Sequence, residues 1–434
     1  MNAPVAVRRE TSAAEWRALA SKLFDELAAR TRSTANGERG ITRECYAEGE
    51  EAALALVREV AQEHGLTSTV DRAANLIVSL PGDDLTKPAL ILGSHVDSVP
   101  QGGNFDGGAG VIAGLLCLVR LAGEQRPPGR PVRLLALRGE ESAYYGRANI
   151  GSRALFGLLT PADLDARRRG TGRTLREAFA TTDADVKAIE QGVPLMPRGF
   201  ADAYLELHIE QGPVMIARDL PTAIVTGIRG NLRHRRLVCR GEAGHSGTVP
   251  RWLRKDAVFA VSDLLMRLDE HWNRLLERGI DLVMTTGICN TDGDHQAISR
   301  IPGEVYFSFE VRSQSYDTLE GVYELFRSEC RAVSDLRRVK FEFDERVYAE
   351  PAKMDEAIIA RLSRLSQQLG YPTELIPSGA GHDAAVFANA GIPSAMIFVR
   401  NRNGSHNPDE DMTIDDFMRG VELMYAYASA GGGA

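Results

Sequence analysis

Cysteine is scarce in this chain, and the few cysteines lie far apart. The 434 residues include only five, an odd number, and no Cys-x-x-Cys pair occurs among them. Disulfide scaffolds and thiolate zinc sites need several cysteines at close or regular spacings. The sequence therefore indicates neither kind of site, and we expect a protein of the reducing cytoplasm. The cysteines are Cys45, Cys117, Cys239, Cys289 and Cys330.

Long apolar segments and an excess of basic residues are also lacking. The longest apolar run, at 111–119, is shorter than the roughly 20 residues that a membrane-spanning helix needs. The first 32 residues contain no apolar core of signal-peptide length. The 51 basic residues are outnumbered by 59 acidic ones, which gives a net charge of -8. We therefore expect no membrane partner and no nucleic-acid partner.

What remains is the composition of a soluble globular protein with more than one domain. Apolar residues make up 44% of the chain and charged residues 25%. A chain of this length exceeds the size at which a single hydrophobic core usually stops growing, so two domains are expected.

The first domain has the pattern of a parallel α/β sheet. Short apolar runs at 89–96 and 132–140 predict buried strands, and the helical spacing of 110–123 predicts a helix between them. Strands that alternate with helices predict a largely parallel sheet covered on both faces. Ligands of such sheets bind beyond the carboxyl ends of the strands, where His95 and the pair Glu140 and Glu141 fall.

A second domain of different character is predicted at 217–351, so that residues 1–216 and 352–434 form one catalytic domain. The pattern predicts strands at 231–240, 282–290, 303–313 and 340–350, with helices at 254–277 and 317–333. This order is that of a ferredoxin-like α+β domain. In the strand at 303–313, residues Val305, Phe307, Phe309 and Val311 alternate with polar residues, which predicts one face in the core and one open face.

Six side chains with metal-binding or acid–base chemistry fall at strand ends or in the loops after them. Each one alone is more often a structural residue, and their shared position is what favours a site. Histidine and carboxylate ligands without a thiolate suit zinc, manganese, cobalt or nickel, and this mixture matches a two-metal hydrolytic site. The six are His95, Asp106, Glu140, Glu141, His208 and His406.

Several stretches of the chain together resemble one enzyme family. From residue 85 onward, the chain is similar to N-carbamoyl-L-amino-acid hydrolases, allantoate amidohydrolases and β-ureidopropionases, a branch of the dimetal aminoacylase and carboxypeptidase G-type superfamily. The stretches, in chain order, are GSHVDSVPQGGNFDGGAGV, EES, ELHIEQGP, GEAGHSGT, IPGEVYFSFEVR, SGAGHDA and GSHNP.

The resemblance implies two divalent metal ions per chain. His95, Asp106 and His208 would hold one ion, and Asp106, Glu141 and His406 the other, with the Asp106 carboxylate bridging them. Glu140 would be the general base, and Asp97 would accept the other ring proton of His95 and fix its tautomer.

The resemblance also implies substrate contacts from the inserted domain, which would serve as a dimerisation and lid domain of a homodimer. Arg312 would bind the substrate carboxylate, and His245 would reach a neighbouring subunit's site and stabilise the oxyanion. The pocket would be lined by Gln211, Gly381 and His382.

Two stretches depart from the family pattern. The Glu-Glu-Gly and Arg-Phe residues common in the family are replaced by EESAYYG, and HQAISRIPG lacks the Pro-Asn pair. Gln296 is the candidate replacement for the substrate-contacting asparagine, so the accepted substrate is expected to differ from that of its relatives.

The activity that the resemblance implies is hydrolysis of an N-carbamoyl-L-amino acid to the amino acid, carbon dioxide and ammonia. The substrate would be a small carboxylated ureido or amide compound. Alternatives are hydrolysis of allantoate, β-ureidopropionate or another N-acyl amino acid, and, in a different class, a catalytically silent binding protein on the same fold. Retention of Glu140 and of all five metal ligands argues against the silent protein.

Overall fold

The computed structural model describes residues 13–33, 37–124, 128–372 and 374–430. The chain divides into two compact units: a first unit that runs to Thr226 and resumes at Met354, and a second unit, Gly227–Lys353. The first unit extends beyond the boundary expected at 217. The reason is that the strand Thr222–Ile228 pairs with the strand Ser394–Val399 of the same unit.

The described residues contain seventeen strands and thirteen α-helices, numbered in chain order. The strands β1 to β17 are Thr67–Val70, Leu76–Ser79, Ala89–His95, Val132–Leu137, Ala201–Ile209, Thr222–Ile228, Gly230–Arg240, Gly244–His245, Val283–Thr285, Cys289–Thr291, Arg300–Ile301, Glu304–Ser313, Lys340–Glu342, Val347–Ala349, Ala352–Lys353, Leu375–Ser378 and Ser394–Val399. The helices α1 to α13 are Ala13–Thr31, Glu48–Glu63, Gly108–Gly123, Ile150–Leu155, Pro161–Leu164, Leu175–Phe179, Val186–Glu190, Val214–Ala217, Ala257–Glu277, Tyr316–Arg337, Glu356–Gln368, Asp383–Asn389 and Ile414–Ser429. No helix in these described ranges has the length and apolar character of a membrane span.

The sheet of the first unit has a parallel centre and antiparallel edges. Within this unit its strand order is β1-β2-β4-β3-β5-β17-β6, with β16 also paired to β6, and β4, β3, β5 and β17 run parallel to their neighbours within that group. The largely parallel α/β sheet predicted from the sequence is confirmed. Because the four central strands point the same way, their carboxyl ends meet at one edge of the sheet.

Successive side chains of β5 point to opposite faces of the sheet, and only one of these faces packs into the main apolar core. Leu205 and Leu207 belong to the main apolar cluster, on the side where α3 and α13 pack. The intervening residues point to the other face, where the Tyr204 ring stacks on Phe387 of α12 at 4.0 Å between centroids. His208 shares this second face and lies near the carboxyl end of the strand.

The second unit is built on an antiparallel sheet in the order β10-β12-β7-β13, with β9 also paired to β12 and β14 to β7. Helices α9 and α10 pack on this sheet. The predicted alternation in β12 is present, since Val305, Phe307, Phe309 and Val311 are buried and the intervening residues are partly exposed.

Four predicted elements of the second unit differ clearly in their bounds. The helix expected at 317–333 is α10, Tyr316–Arg337, which ends four residues later than predicted. The strand expected at 282–290 is two short strands, and the strand expected at 340–350 is interrupted between β13 and β14. Helix α9 begins at Ala257, not at 254, because the Asp256 side chain accepts hydrogen bonds from the main-chain N–H groups of Val258 and Phe259 and caps the helix there.

The contact between α3 and the sheet supplies a test of this packing. A Cβ atom added to Gly110 would lie 2.2 Å from the carbonyl oxygen of Leu207, so α3 would have to move away from β5. We expect Gly110→Ala to lower the free energy of unfolding by about 1–3 kcal/mol, the usual cost of overpacking. Urea denaturation measures this.

Gly123→Ala is the matched control in the same helix. No atom lies within 4 Å of the Cβ position at Gly123 in the described structure, so this substitution should leave stability unchanged or raise it slightly. Equal unfolding midpoints for the two variants would contradict the close packing of α3 on the sheet.

Candidate metal centre and active site

The six side chains singled out in the sequence come together at one edge of the first unit's sheet. His95 is the last residue of β3, and His208 lies next to the end of β5. Glu140 and Glu141 follow β4, and His406 lies in the loop after β17. The parallel centre of the sheet is the reason that these residues, distant in sequence, are neighbours in space.

A first group of ligand atoms is formed by two histidines and Asp106. Asp106 Oδ1 lies 3.2 Å from His208 Nε2 and 3.7 Å from His95 Nε2, and the two Nε2 atoms are 3.4 Å apart. All three side chains are buried. Asp106 Oδ1 has no hydrogen-bond partner among the described residues. A buried carboxylate oxygen without a hydrogen bond, facing two imidazole nitrogens, is what a divalent cation would complete.

A second group lies on the other oxygen of the same carboxylate. His406 Nε2 is 3.3 Å from Asp106 Oδ2 and 3.1 Å from Glu141 Oε1. The two carboxylates raise the pKa of His406 to about 10 through their hydrogen bonds, which reflects a strongly anionic environment. Asp106 thus presents one oxygen to each group, as a carboxylate between two cations must.

The loop that carries Asp106 passes very close to His95, a candidate metal ligand. Gly107 has a φ of 65°, and a Cβ atom on it would lie 2.4 Å from the His95 ring. Only glycine satisfies both the left-handed backbone and the close approach. The glycine therefore allows Asp106 to sit directly beside the His95 ring.

Two buried charged residues hold this loop from either side. The Arg43 guanidinium donates to the carbonyl oxygens of Val96 at 2.5 Å and Asp106 at 3.3 Å, so it ties together both ends of the loop. The Glu410 carboxylate accepts from the main-chain N–H of Phe105 at 2.9 Å and of Asp106 at 3.2 Å. Because the backbone is held on both sides, the Asp106 carboxylate has little freedom to move.

Asp97 has a broader role than the one expected of it. His95 Nδ1 lies 3.1 Å from the main-chain oxygen of Asp97 and 3.4 Å from its Oδ1, which leaves Nε2 for the ligand group. The Asp97 carboxylate also accepts from the main-chain N–H groups of Glu140 and Glu141, each at 3.0 Å. Asp97 therefore positions the two glutamates as well as the histidine.

The two adjacent glutamates point to different partners. Glu141 Oε1 faces His406, as described above, whereas Glu140 Oε1 accepts from Asn149 Nδ2 at 3.1 Å. Glu140 Oε2 lies 3.9 Å from His95 Nε2, beside the first ligand group. Burial raises the pKa of Glu140 well above its usual range, so its carboxyl group can hold a proton more readily than an exposed one.

Comparison with known proteins agrees with this geometry. A model of peptidase family M20/M25/M40 matches residues 91–430. The chain belongs to this family. M20 enzymes are dimetal-dependent hydrolases, and the two ligand groups of this M20 chain fit two divalent ions.

Relatives of this M20 protein cover almost its whole length. It is 33% identical over 387 residues to an N-carbamoyl-L-amino acid amidohydrolase of Geobacillus stearothermophilus, across 89% of this chain and 92% of that protein. It is 30% identical over 361 residues to the allantoate amidohydrolase of Escherichia coli strain K12, across 83% and 85% of the two chains. The crystal structure of a hydantoinase/carbamoylase family amidase from Burkholderia multivorans matches with a TM-score of 0.84 at 26% identity, over 95% and 97% of the chains. The resemblance inferred from the sequence is confirmed.

Three predicted pocket residues also belong to the first unit of the M20 chain. Gln211 Nε2 donates to Asp106 Oδ2 at 2.8 Å, which places this amide at the second ligand group. His382 is buried, with its ring 4.4 Å from that of His208 and its Nε2 2.9 Å from Ser378 Oγ. Gly381 is exposed. Of the three, Gln211 and His382 contact residues of the ligand groups.

The remaining predicted residues lie in the second unit. His245 is exposed in β8, which pairs with β11. Gln296 is exposed, and its Nε2 donates to Thr291 Oγ1 at 2.7 Å. Arg312 on β12 is partly exposed and its guanidinium lies 3.0 Å from Glu310 Oε1. Their roles toward substrate stay predictions.

Two buried carboxylates next to the site were not predicted from the sequence. They belong to Glu206 and Asp383. The Glu206 carboxylate accepts a hydrogen bond from Ser94 Oγ at 3.1 Å and another from the main-chain N–H of Ala384 at 2.9 Å. Burial and the charge of Asp383 raise the pKa of Glu206 to about 7. The sequence signal for Asp383 was its place beside His382 in the SGAGHDA stretch.

The different surroundings of the paired glutamates lead to a prediction. Glu140→Gln should keep the metal content and lower kcat by about 100- to 10,000-fold, because it removes a proton acceptor and not a ligand. Glu141→Gln should lower both activity and metal content, because it alters a ligand. Metal analysis of the two purified variants separates the roles, and an equal loss of metal in both would contradict the assignment.

Proposed function

We propose that this protein is a dimetal amidohydrolase that removes the carbamoyl group from an N-carbamoyl-L-amino acid. The products would be the amino acid and carbamate, and carbamate breaks down to carbon dioxide and ammonia. The observation that carries the hydrolytic part of the proposal is the Asp106 carboxylate, which offers one oxygen to each of two histidine-containing groups beside Glu140.

Each ligand group brings together three side chains that could hold one divalent ion. His95, His208 and Asp106 would hold one, and Asp106, Glu141 and His406 the other. Zinc, manganese, cobalt and nickel all accept such nitrogen and oxygen ligands. Two bound cations would polarise the substrate carbonyl and lower the pKa of water.

Glu140 is the proposed proton carrier. It would take a proton from the attacking water and deliver it to the amino nitrogen as the bond between that nitrogen and the carbamoyl carbon breaks. Its position beside His95 and its raised pKa both support this role. A carbamoyl carbon is a weak electrophile because two nitrogens donate into it, so this substrate class requires both carbonyl polarisation and a strong nucleophile.

The choice of substrate class rests on the relatives. Proteins named N-carbamoyl-L-amino-acid amidohydrolase and proteins named allantoate amidohydrolase match at about 30% identity. Allantoate, β-ureidopropionate and other N-acyl amino acids are therefore the alternative substrates. All share an amide or ureido carbonyl and a carboxylate.

Arg312 and His245 are the proposed substrate contacts of the second unit. The planar guanidinium of Arg312 suits a carboxylate, and the His245 imidazole suits a developing oxyanion. We propose that the protein acts as a homodimer in which His245 serves the partner subunit's site. Exposed apolar side chains of the second unit support an interface there, among them Trp252, Phe259, Met266 and Ile298.

The first test of the proposal combines metal removal with a substrate panel. Chelation should abolish turnover, and manganese, cobalt, nickel or zinc should restore it. The metal-loaded protein should hydrolyse N-carbamoyl-L-amino acids faster than formyl, acetyl and other ureido compounds, as measured by kcat/KM. Full activity of metal-free protein would contradict the dimetal mechanism, and a preference for allantoate or β-ureidopropionate would select an alternative substrate. Metal binding without turnover of any substrate would favour the silent binding protein.

The second test concerns the proposed shared site. Glu140→Gln subunits and His245→Ala subunits are each expected to be nearly inactive with their metals retained. If His245 acts across subunits, a mixed dimer holds one intact site, and mixing should restore part of the activity. Absence of recovery after proven subunit exchange would contradict a shared site.

Arg312→Ala is the companion variant for substrate binding. It should lower kcat/KM sharply for carboxylated substrates and change it little for analogues in which an amide replaces the carboxylate. An equal loss for both substrate types would show that Arg312 does not recognise the carboxylate.

A further inference from the structure

The side-chain amide of Asn149 bridges two buried carboxylates. Its Nδ2 donates to Glu140 Oε1 and to Asp383 Oδ1, each at 3.1 Å. A primary amide nitrogen carries two hydrogens, so both bonds can form at once and the orientation of the amide is determined. Asn149 therefore connects Glu140, the proposed proton carrier, to the buried carboxylate of Asp383.

Asp383 is itself held in place. Ser152 Oγ donates to the same Asp383 Oδ1 at 2.5 Å, and both Ser152 and Asp383 are almost fully buried. The other oxygen, Oδ2, has no hydrogen-bond partner within the described part of the chain. An incompletely satisfied buried carboxylate is costly to folding, and such a cost is typically tolerated at functional positions.

The backbone at Asn149 is also unusual. Its φ is 55° and its ψ 39°, the left-handed region, although it is not a glycine. It stands at the N-cap position of α4, yet its side chain caps no main-chain N–H of that helix. Its main-chain N–H donates to the Glu140 carbonyl oxygen at 2.8 Å. The turn thus places Asn149 against Glu140 twice, and the side chain is used for Glu140 instead of for the helix.

We infer that Asn149, anchored by Asp383 and Ser152, is a positioning residue for Glu140. By holding Oε1, the amide leaves Oε2 as the oxygen that faces His95 and exchanges protons. This inference rests on the proposed function, in which Glu140 carries the proton.

The Asn149 amide also helps to keep the adjacent Glu140 and Glu141 side chains in different roles. Glu140 lies beside the first ligand group, whereas the adjacent Glu141 is part of the second. When the proposed ions are bound, a Glu140 side chain without a tether could rotate toward them and become an additional ligand. The Asn149 amide opposes that rotation, because moving Glu140 would leave a partly buried amide hydrogen without an acceptor.

The test compares Asn149→Gly with Asn149→Ala. Both remove the amide, but glycine adopts a positive φ freely and alanine does not. Both variants should show kcat lowered by about 10- to 100-fold, the usual size of an effect from a residue that orients a functional group. KM and the number of bound metal ions should not change, and Asn149→Ala should lose more thermal stability than Asn149→Gly, because only alanine also resists the positive φ. A crystal structure of Asn149→Gly should show the Glu140 carboxylate displaced or in more than one position.

Asp383 provides a second, independent variant pair. Asp383→Ala should reproduce the kcat loss of Asn149→Gly, since it removes the anchor. Asp383→Asn keeps an oxygen that can accept from Asn149 and Ser152, so it should recover most of that loss. A purely structural role for Asp383 would instead change stability without this recovery of kcat.

The outcomes separate this inference from the proposed function. Wild-type kcat in Asn149→Gly, with a loss only in Asn149→Ala, would show that the backbone turn matters and the amide does not. A loss of bound metal in parallel with kcat would show that Asn149 acts through a ligand. Either result overturns the inference. Wild-type turnover in Glu140→Gln would instead overturn the proposed function on which it rests.

Discussion

One carboxylate has to serve two ligand groups, and much of the first unit is arranged so that it can. Asp106 faces His208 with one oxygen and His406 with the other. A carboxylate in this situation must be buried, oriented and unable to rotate. The Arg43 guanidinium and the Glu410 carboxylate meet that demand by holding the backbone of its loop, and Gly107 allows the loop to pass beside His95.

The same constraint concentrates negative charge in a small buried volume. Asp97, Asp106, Glu140, Glu141 and Asp383 are all buried at this edge of the sheet. Buried carboxylates repel one another and are expensive to desolvate, so each needs compensation. Two divalent cations would offset part of the charge. Main-chain N–H groups offset another part, as at Asp97, and raised pKa values at Glu140 and Glu206 show where compensation is incomplete.

The elements that could be predicted from the sequence are those whose pattern is formed by residues close together in the chain. The apolar runs that became β3 and β4, the helical spacing of α3 and the alternation of β12 depend on neighbouring residues and were correctly assigned. The shared position of the candidate site residues could be predicted because parallel strands bring their carboxyl ends together, whereas their division into two groups was implied only by the family resemblance. The contacts of Arg43, Asn149 and Glu410 could not, because each depends on loops from distant parts of the chain. The edge strands of the sheet and the boundary at Thr226 depend likewise on long-range pairing.

The measurement that addresses the proposed bridging role of Asp106 most directly is electron paramagnetic resonance of the protein loaded with two equivalents of Mn²⁺. Two ions that share a carboxylate bridge are magnetically coupled, and we expect the spectrum of a coupled pair. In Asp106→Asn, bridging should be impaired and the coupling lost or reduced. A wild-type spectrum equal to that of isolated Mn²⁺ ions, at proven occupancy of two ions per chain, would contradict the account.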